Sequence, residues 1–177
     1  MNNKLKELTK NIHHQAERTR FASRLLRGLG PVDYHRYLVN QYEIYSALES
    51  ASEEILIEFP HLARSQKILE DLEELEVTYQ IGRDPSLVCD VVERYRNHVS
   101  ILDRSGLLAH FYVRHFGDMY GGQIIKSRNP GEGNMYNFDD VENLKAAVRT
   151  QLTDDMVDEA TRCFQFAIDL FEELQNE

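Results

Sequence analysis

The chain has 177 residues, with 30 acidic and 20 basic side chains, so its formal net charge is −10. This length is typical of one domain that builds its own core. The acidic balance argues against nucleic-acid binding, which depends on basic patches. No apolar run approaches the roughly 20 residues of a membrane span. We therefore predict a single domain over residues 1–177 that engages neither nucleic acid nor membrane.

The two cysteines and the N-terminal residues indicate the compartment. Cys89 and Cys163 have neither CxxC nor metal-ligand spacing, so we interpret them as buried thiols in a reducing environment. The N-terminus leads directly into an amphipathic segment and lacks the pattern of a signal peptide. We therefore expect a cytoplasmic protein.

Apolar residues recur at helical spacing through almost the whole chain, and strand-like alternation is absent. The pattern predicts an all-α fold, a single compact multi-helical domain. The predicted helices cover approximately 3–17, 21–26, 33–58, 64–77, 87–104, 107–127, 139–152 and 154–174. Asp33 is expected to cap the third helix and Asp139 or Asp140 the seventh. The glutamate-rich helix over 64–77 is expected to be solvated.

The first helix carries a histidine in a setting that suits a metal. Its apolar face carries Leu5, Leu8, Ile12 and Ala16, and the neighbouring face carries Lys6, Lys10, His13 and Glu17. Glu17 lies one turn after His13 and can bond one ring nitrogen, which leaves the other for a metal. An ordinary His–Glu pair on a helix surface is the alternative. His14 is one step round the helix and lacks such a partner.

The segment over 107–127 contains Gly117, Gly121 and Gly122 inside a helical pattern. Each glycine costs about 1 kcal/mol relative to alanine, a large amount beside total stabilities of about 5–15 kcal/mol. Gly117 and Gly121 are one turn apart and leave bare backbone on one face. A closely packed helix or a flat, bulky ligand would use such a face. Asp118 beside it favours the ligand, because a carboxylate suits a pocket better than a packing surface.

Two motifs carry a resemblance to a known family. The pattern Tyr112-x-Arg114-x-x-Gly117-Asp118-x-x-Gly121-Gly122-Gln123 resembles the distal helix of heme oxygenases, and the segment Leu5–Glu17 resembles their proximal helix. Similarity continues through Tyr42-x-x-Tyr45-x-Ala47-Leu48-Glu49 and the segment Phe164–Leu174, and is weakest over roughly 60–105. The resemblance implies heme bound between the proximal N-terminal helix and a glycine-kinked distal helix.

The resemblance also implies roles for individual residues. His13 would ligate the iron of heme b, with Glu17 as its hydrogen-bond partner. Asp118 would be catalytic by ordering a water next to the activated oxygen, supported by Arg114 and Tyr45. The cations expected to bind the two propionates are Lys6, Lys10, Lys145 and Arg149. The expected glycines of the distal helix are Gly117, Gly121 and Gly122. The aromatic residues expected to line the heme pocket are Tyr112, Phe164 and Phe171. A solvated face is the alternative for the cations, and plain core for the two phenylalanines.

The implied reaction is oxidative cleavage of heme at a meso carbon to biliverdin, carbon monoxide and ferrous iron. Heme would be both substrate and cofactor. The electrons for O2 would come from a separate ferredoxin or flavin reductase, because no flavin or nicotinamide fingerprint is present. The protein is expected to be a monomer. A heme carrier or sensor of the same fold, without turnover, is the alternative.

Two residues depart from the family pattern, and one rival class fits poorly. Tyr120 occupies a position that usually carries a small residue in the family, and Ala167 stands where an asparagine often joins the distal network.

A di-iron carboxylate bundle would need Glu-x-x-His on paired helices. The one match, Glu58-x-x-His61, is interrupted by Pro60.

Overall fold

The computed structural model describes residues 3–176, so Met1, Asn2 and Glu177 of the predicted 1–177 domain lie outside the described residues. That range contains helices and no strand, which confirms the predicted all-α class. Its α-helices are α1 (Asn3–Leu8), α2 (Lys10–Glu17), α3 (Arg20–Arg27), α4 (Pro31–Ser50), α5 (Glu53–Glu58), α6 (Ser65–Tyr79), α7 (Asp90–Val99), α8 (Arg104–Arg128), α9 (Val141–Arg149) and α10 (Val157–Gln175). Short 3-10 turns cover Pro60–Leu62, Pro85–Leu87, Asn134–Tyr136 and Asp154–Met156.

Local backbone geometry divides or shortens several predicted helices. The first helix is interrupted at Thr9, whose hydroxyl donates a hydrogen bond to the Leu5 carbonyl at 2.9 Å. A threonine hydroxyl competes in this way with the regular hydrogen bonds of a helix. The predicted 33–58 helix is divided into α4 and α5 at residues 51–52, and the predicted 87–104 helix is limited to α7.

The predicted Asp33 cap was wrong, and Asp140 lies at the predicted N-cap position of α9 without forming the capping hydrogen bond. Helix α4 starts at Pro31 after Gly30, because proline favours the first turn of a helix. Asp33 therefore lies inside that turn, where it accepts a hydrogen bond from Arg24 at 3.0 Å. Asp140 precedes α9 with a φ of 50° and makes no side-chain cap; its carboxylate accepts from the Asn143 amide at 2.8 Å.

Helix α6 is not the solvated helix that its glutamates suggested. Ile68, Leu72 and Leu75 are fully buried and form a stripe against α4. Asp71 is also buried and accepts backbone N–H groups of the Asn134–Tyr136 turn, at 2.8 and 2.9 Å. The prediction of a solvated helix was wrong because it relied on the number of glutamates, whereas three apolar residues at helical spacing are enough to form a packing face. These contacts hold the Asn134–Tyr136 turn against the core.

The long helix α8 lies at the centre of the arrangement that forms the site. It packs against α10, which also contacts α2, α3 and α7, while α4 packs against α6 and α7. Helix α8 continues unbroken through Gly117, Gly121 and Gly122. Cys89 and Cys163 are both buried, as predicted. Within residues 3–176, no helix combines the length and the apolar character needed to cross a membrane.

Candidate functional site: a cavity between α2 and α8

A cavity of about 450 Å³ separates α2 from α8, a volume typical of small-molecule sites. Its lining comes from the first two helices, one face of α8 and the segments around α9 and α10. The lining residues are Lys6, Thr9, His13, Glu17, Tyr112, Val113, Phe116, Gly117, Tyr120, Gly121, Arg149, Leu152 and Phe164. Two segments predicted separately from sequence, around His13 and around Gly117, therefore face each other across one cavity.

His13 and Glu17 form the α2 wall. The His13 Nε2 atom lies 2.9 Å from a Glu17 carboxylate oxygen, and the His13 ring stacks on Phe164 with centroids 5.2 Å apart. The His13 side chain is 46% exposed, so a ligand in the cavity can reach it. His14 does not line the cavity, whereas His13 does.

The α8 wall contains bare backbone. A Cβ atom placed on Gly117 or Gly121 would meet nothing within 4 Å, so both glycines border open space. Gly122 differs, because a Cβ there would lie 2.3 Å from the Tyr136 ring. Gly122 thus allows α8 to pack against Tyr136 and does not line the cavity. The three glycines divide into two that shape the site and one that shapes the core.

Alanine substitutions should separate these two roles. We expect Gly122→Ala to lower the free energy of unfolding by about 1–3 kcal/mol, because the added methyl group overpacks a buried ring. Gly117→Ala, on the same helix, should leave stability unchanged or raise it by about 0.5–1 kcal/mol. Chemical denaturation of both variants measures the difference. Equal losses of stability would show that both glycines serve helix packing.

Asp118 lies next to Gly117 and is bonded to α4. The Tyr45 hydroxyl donates a hydrogen bond to the Asp118 carboxylate, and Tyr45 itself is buried, with its ring edge-on to His115. Burial raises the pKa of Asp118 to about 7, although the Tyr45 hydrogen bond and the charges of Arg114 and Arg64 act in the opposite direction. The carboxyl group can therefore hold or release a proton near neutral pH.

This raised pKa predicts a pH-dependent stability difference. Because the folded state binds the Asp118 proton more tightly than the unfolded state, the stability from this group is fully present below pH 4 and lost as pH rises through 7. Asp118→Asn removes the titration, so it should be the more stable protein at pH 8 and lose that advantage towards pH 4. At about 1.4 kcal/mol per pKa unit, the difference in free energy of unfolding has an upper limit of about 4 kcal/mol. Because Asp118 is only half-buried, we expect a difference of about 2 kcal/mol.

Unfolding midpoints of wild type and Asp118→Asn between pH 4 and 8 test this. Other titrating groups are common to the two proteins and cancel in the difference. A difference that stays constant with pH, or grows towards acid, would contradict the raised pKa.

A second buried network begins one turn before Asp118. The Arg114 Nε atom donates to the Tyr95 hydroxyl at 3.0 Å, and that hydroxyl lies 2.9 Å from Nδ1 of His110. His110 and His98 both bond Glu159, and these hydrogen bonds hold the pKa of its carboxyl at about 2 despite partial burial. Sequence reasoning missed the chain from Tyr95 to Glu159. Its only sequence signal was the apolar setting of His110, which a core histidine shares.

Arg114 retains an unused donor in this network. The side chain is buried, and its Nη2 atom has no hydrogen-bond partner among the described residues. A buried guanidinium N–H without a partner is costly, so a water molecule is expected at this position. Arg114 lies one turn from Asp118, and its charge acts on that carboxyl group. Arg114 and Asp118 are thus two polar groups one helical turn apart on α8.

Three cations lie in or next to the cavity. Lys6 and Arg149 line it, and Lys145 lies one turn before Arg149 on α9. Both α9 cations contact Tyr120, at 3.2 Å from Lys145 Nζ and 2.7 Å from Arg149 Nη2 to the phenol oxygen. Within residues 3–176, no carboxylate pairs with Arg149. The part of the cavity next to α9 therefore suits an anionic group.

The structure brings together most, but not all, of the predicted site residues. Eight line the cavity: Lys6, His13, Glu17, Tyr112, Gly117, Gly121, Arg149 and Phe164. Asp118, Tyr45, Arg114 and Lys145 lie outside the lining. Lys145 bonds the lining residue Tyr120, whereas Asp118 follows Gly117 in the chain and is bonded by Tyr45. Arg114 acts on Asp118 through its charge. Lys10 is exposed beyond the Thr9 interruption, Gly122 packs on Tyr136, and Phe171 stacks on Phe21 at 5.6 Å. These last three residues do not line the cavity.

The donors and walls fit heme. A flat macrocycle needs close approach to a side-chain-free surface, which Gly117 and Gly121 provide. Its iron needs an imidazole held by a second group, as in the His13–Glu17 pair. Its two carboxylates need cations, and Lys6 and Arg149 are among the lining residues.

Comparisons with known proteins agree with this fit. The heme oxygenase family model matches residues 1–173. Heme oxygenase 1 of Nostoc is 31% identical, with 98% of this chain and 85% of the relative covered. The crystal structure of heme oxygenase-1 from Synechocystis in complex with heme has a TM-score of 0.82 at 26% identity, covering 98% of this chain and 91% of that one. The structure of heme oxygenase from Leptospira interrogans has a TM-score of 0.81 at 26% identity, covering 96% of this chain and 97% of that one. This chain belongs to the heme oxygenase family.

Proposed function

We propose that this protein is a heme oxygenase that converts heme to biliverdin, carbon monoxide and ferrous iron, using O2 and electrons from another protein. Heme supplies both the iron that activates oxygen and the ring that is opened. The observation that carries the proposal is the cavity in which His13 and Glu17 face the bare backbone of Gly117 and Gly121. Family membership supports the reaction, and the cavity supports the assignment of residues.

His13 is the proposed iron ligand. Its ring has two nitrogens, and a carboxylate bonded to one of them fixes the tautomer and orientation that leave the other for the metal. Glu17 supplies that carboxylate. Stacking on Phe164 restricts the ring further. Glu17 therefore acts through His13, as a positioning residue.

Asp118 is the proposed catalytic group, through a water that it orders. Its pKa of about 7 suits a group that exchanges a proton with water near neutral pH. Tyr45 fixes the carboxylate by a hydrogen bond, and the unused Nη2 donor of Arg114 provides a second contact for water. Tyr45 and Arg114 then position the water network and exclude bulk solvent from it.

Lys6, Lys145 and Arg149 are proposed to bind the propionates. Charge-assisted bonds between guanidinium or ammonium groups and carboxylates are roughly twice as strong as neutral ones. Tyr112, Phe116 and Phe164 provide apolar surface for the macrocycle. A bound heme would thus have its charged edge near α9 and its ring between α2 and α8.

The electron donor is proposed to be a ferredoxin or a flavin reductase. We further propose that the protein is a monomer and that it acts in the cytoplasm, where its two buried thiols would stay reduced.

One experiment distinguishes the enzyme from a carrier or sensor. Hemin is titrated into the protein while the Soret band is followed, and then ascorbate, or a reductase with NADPH and ferredoxin, is added in air. Loss of the Soret band with growth of a bilin band, and biliverdin on chromatography, is the expected result. Tight binding without bilin would favour the carrier. Absence of a heme complex would contradict both functions.

A further inference from the structure

Tyr120 lies between the two glycines of α8 that border the cavity, Gly117 and Gly121, and places a large side chain there. Its side chain is 57% exposed and lines the cavity together with Arg149. The phenol oxygen accepts hydrogen bonds from Arg149 at 2.7 Å and from Lys145 at 3.2 Å. Lys145 Nζ also lies 4.3 Å from the centre of the Tyr120 ring. One phenol therefore engages both α9 cations.

This oxygen holds the place that an anionic ligand group would take. Lys145 has a second partner, Glu142 at 3.0 Å, but Arg149 has no ion pair within residues 3–176. Although partial burial opposes it, the hydrogen bonds from Lys145 and Arg149 lower the pKa of the Tyr120 phenol below its usual value. The two cations thus favour negative charge at the phenol oxygen, as they would favour it on a carboxylate.

We propose that Tyr120 is a stand-in for a ligand carboxylate: it holds Lys145 and Arg149 together in the free protein and competes with one propionate for them. This inference rests on the proposed function. A carboxylate forms stronger bonds to these cations than a neutral phenol does, so heme displaces the phenol at a cost in affinity. Tyr120 thereby lowers the affinity for porphyrins that carry free carboxylates and leaves the affinity for esterified ones unchanged. Its role is to set the affinity for heme, without contact with the reacting atoms.

The test compares two ligands in two proteins. Tyr120→Phe keeps the ring over Lys145 and removes only the competing oxygen. Dissociation constants are measured for hemin and for hemin dimethyl ester, whose blocked carboxylates cannot pair with the cations. Because the chain has no tryptophan, the titrations follow the Soret band. Circular dichroism confirms that the variant is folded, and Tyr79→Phe, an exposed tyrosine away from the cavity, serves as the control.

We expect Tyr120→Phe to bind hemin about threefold to tenfold more tightly, the range for losing one competing hydrogen-bond acceptor. Affinity for the dimethyl ester should be unchanged. Equal tightening for both ligands would show that Tyr120 acts by bulk alone. Weaker hemin binding would show that the phenol bridges to the propionate, and no change for either ligand would remove its role; each of these results overturns the proposal.

The wild-type titration separates this inference from the proposed function. If wild type forms a His13-dependent hemin complex and Tyr120→Phe does not tighten it, only the role of Tyr120 fails. If wild type forms no such complex, the proposed function fails first.

Discussion

Replacing Asp118 with alanine is expected to leave heme binding nearly intact and to reduce biliverdin formation by about 10²–10³-fold. Removing one preorganised polar group from a catalytic site typically has an effect of this size. The proposed role of Asp118 begins after heme is bound, so it stabilises a later state and not the heme complex. The His13–Glu17 pair and the apolar walls are unchanged in the variant. Hemin titration measures heme binding, and bilin absorbance during reductive turnover measures biliverdin formation.

Two further variants identify what Asp118 contributes. Asp118→Asn keeps an acceptor for the Tyr45 hydroxyl but cannot exchange a proton. If it loses as much biliverdin formation as Asp118→Ala does, catalysis depends on the titrating carboxyl group. Tyr45→Phe keeps the carboxylate and removes its hydrogen bond, so its effect should be smaller. Normal biliverdin yield from Asp118→Ala would remove this residue from the mechanism. Loss of hemin binding would make it a structural residue.

Replacing His13 with alanine is expected to abolish the histidine-ligated spectrum of the heme complex and most of the activity. Loss of a partner behind a metal ligand typically costs 10–100-fold, so loss of the ligand itself should cost at least about 100-fold. Added imidazole should restore part of both, because the ring leaves a space beside Phe164 that a free imidazole can fill. Visible spectra with and without imidazole, followed by turnover assays, provide the measurement.

His14→Ala is the matched control. The two histidines are adjacent, with ring centres 6.3 Å apart, but only His13 bonds Glu17 and lines the cavity. His14→Ala should therefore keep the wild-type spectrum and activity. If His14→Ala lost the spectrum and His13→Ala kept it, the assignment of the iron ligand would be reversed.

Features that lie within one helix could be predicted from the sequence. The spacing between His13 and Glu17, and between Gly117 and Gly121, places each pair on one face of any regular helix, whatever surrounds it. The absence of period-2 alternation determined the all-α class. The position of Asp118 beside the bare face followed from the same geometry. Local backbone regularity is sufficient for all of these predictions.

Contacts between helices were decided only by tertiary structure. The bond from Tyr45 to Asp118 joins α4 to α8, and the bonds from Tyr120 to Lys145 and Arg149 join α8 to α9. Gly117 and Gly122 are both glycines of α8, yet Gly117 borders a cavity and Gly122 meets Tyr136. The sequence of the helix could not distinguish them, because Tyr136 lies outside it. Asp118 acquires its raised pKa by burial, which depends on how several helices pack around it. Helical periodicity states which face a residue occupies, but packing alone determines what that face meets.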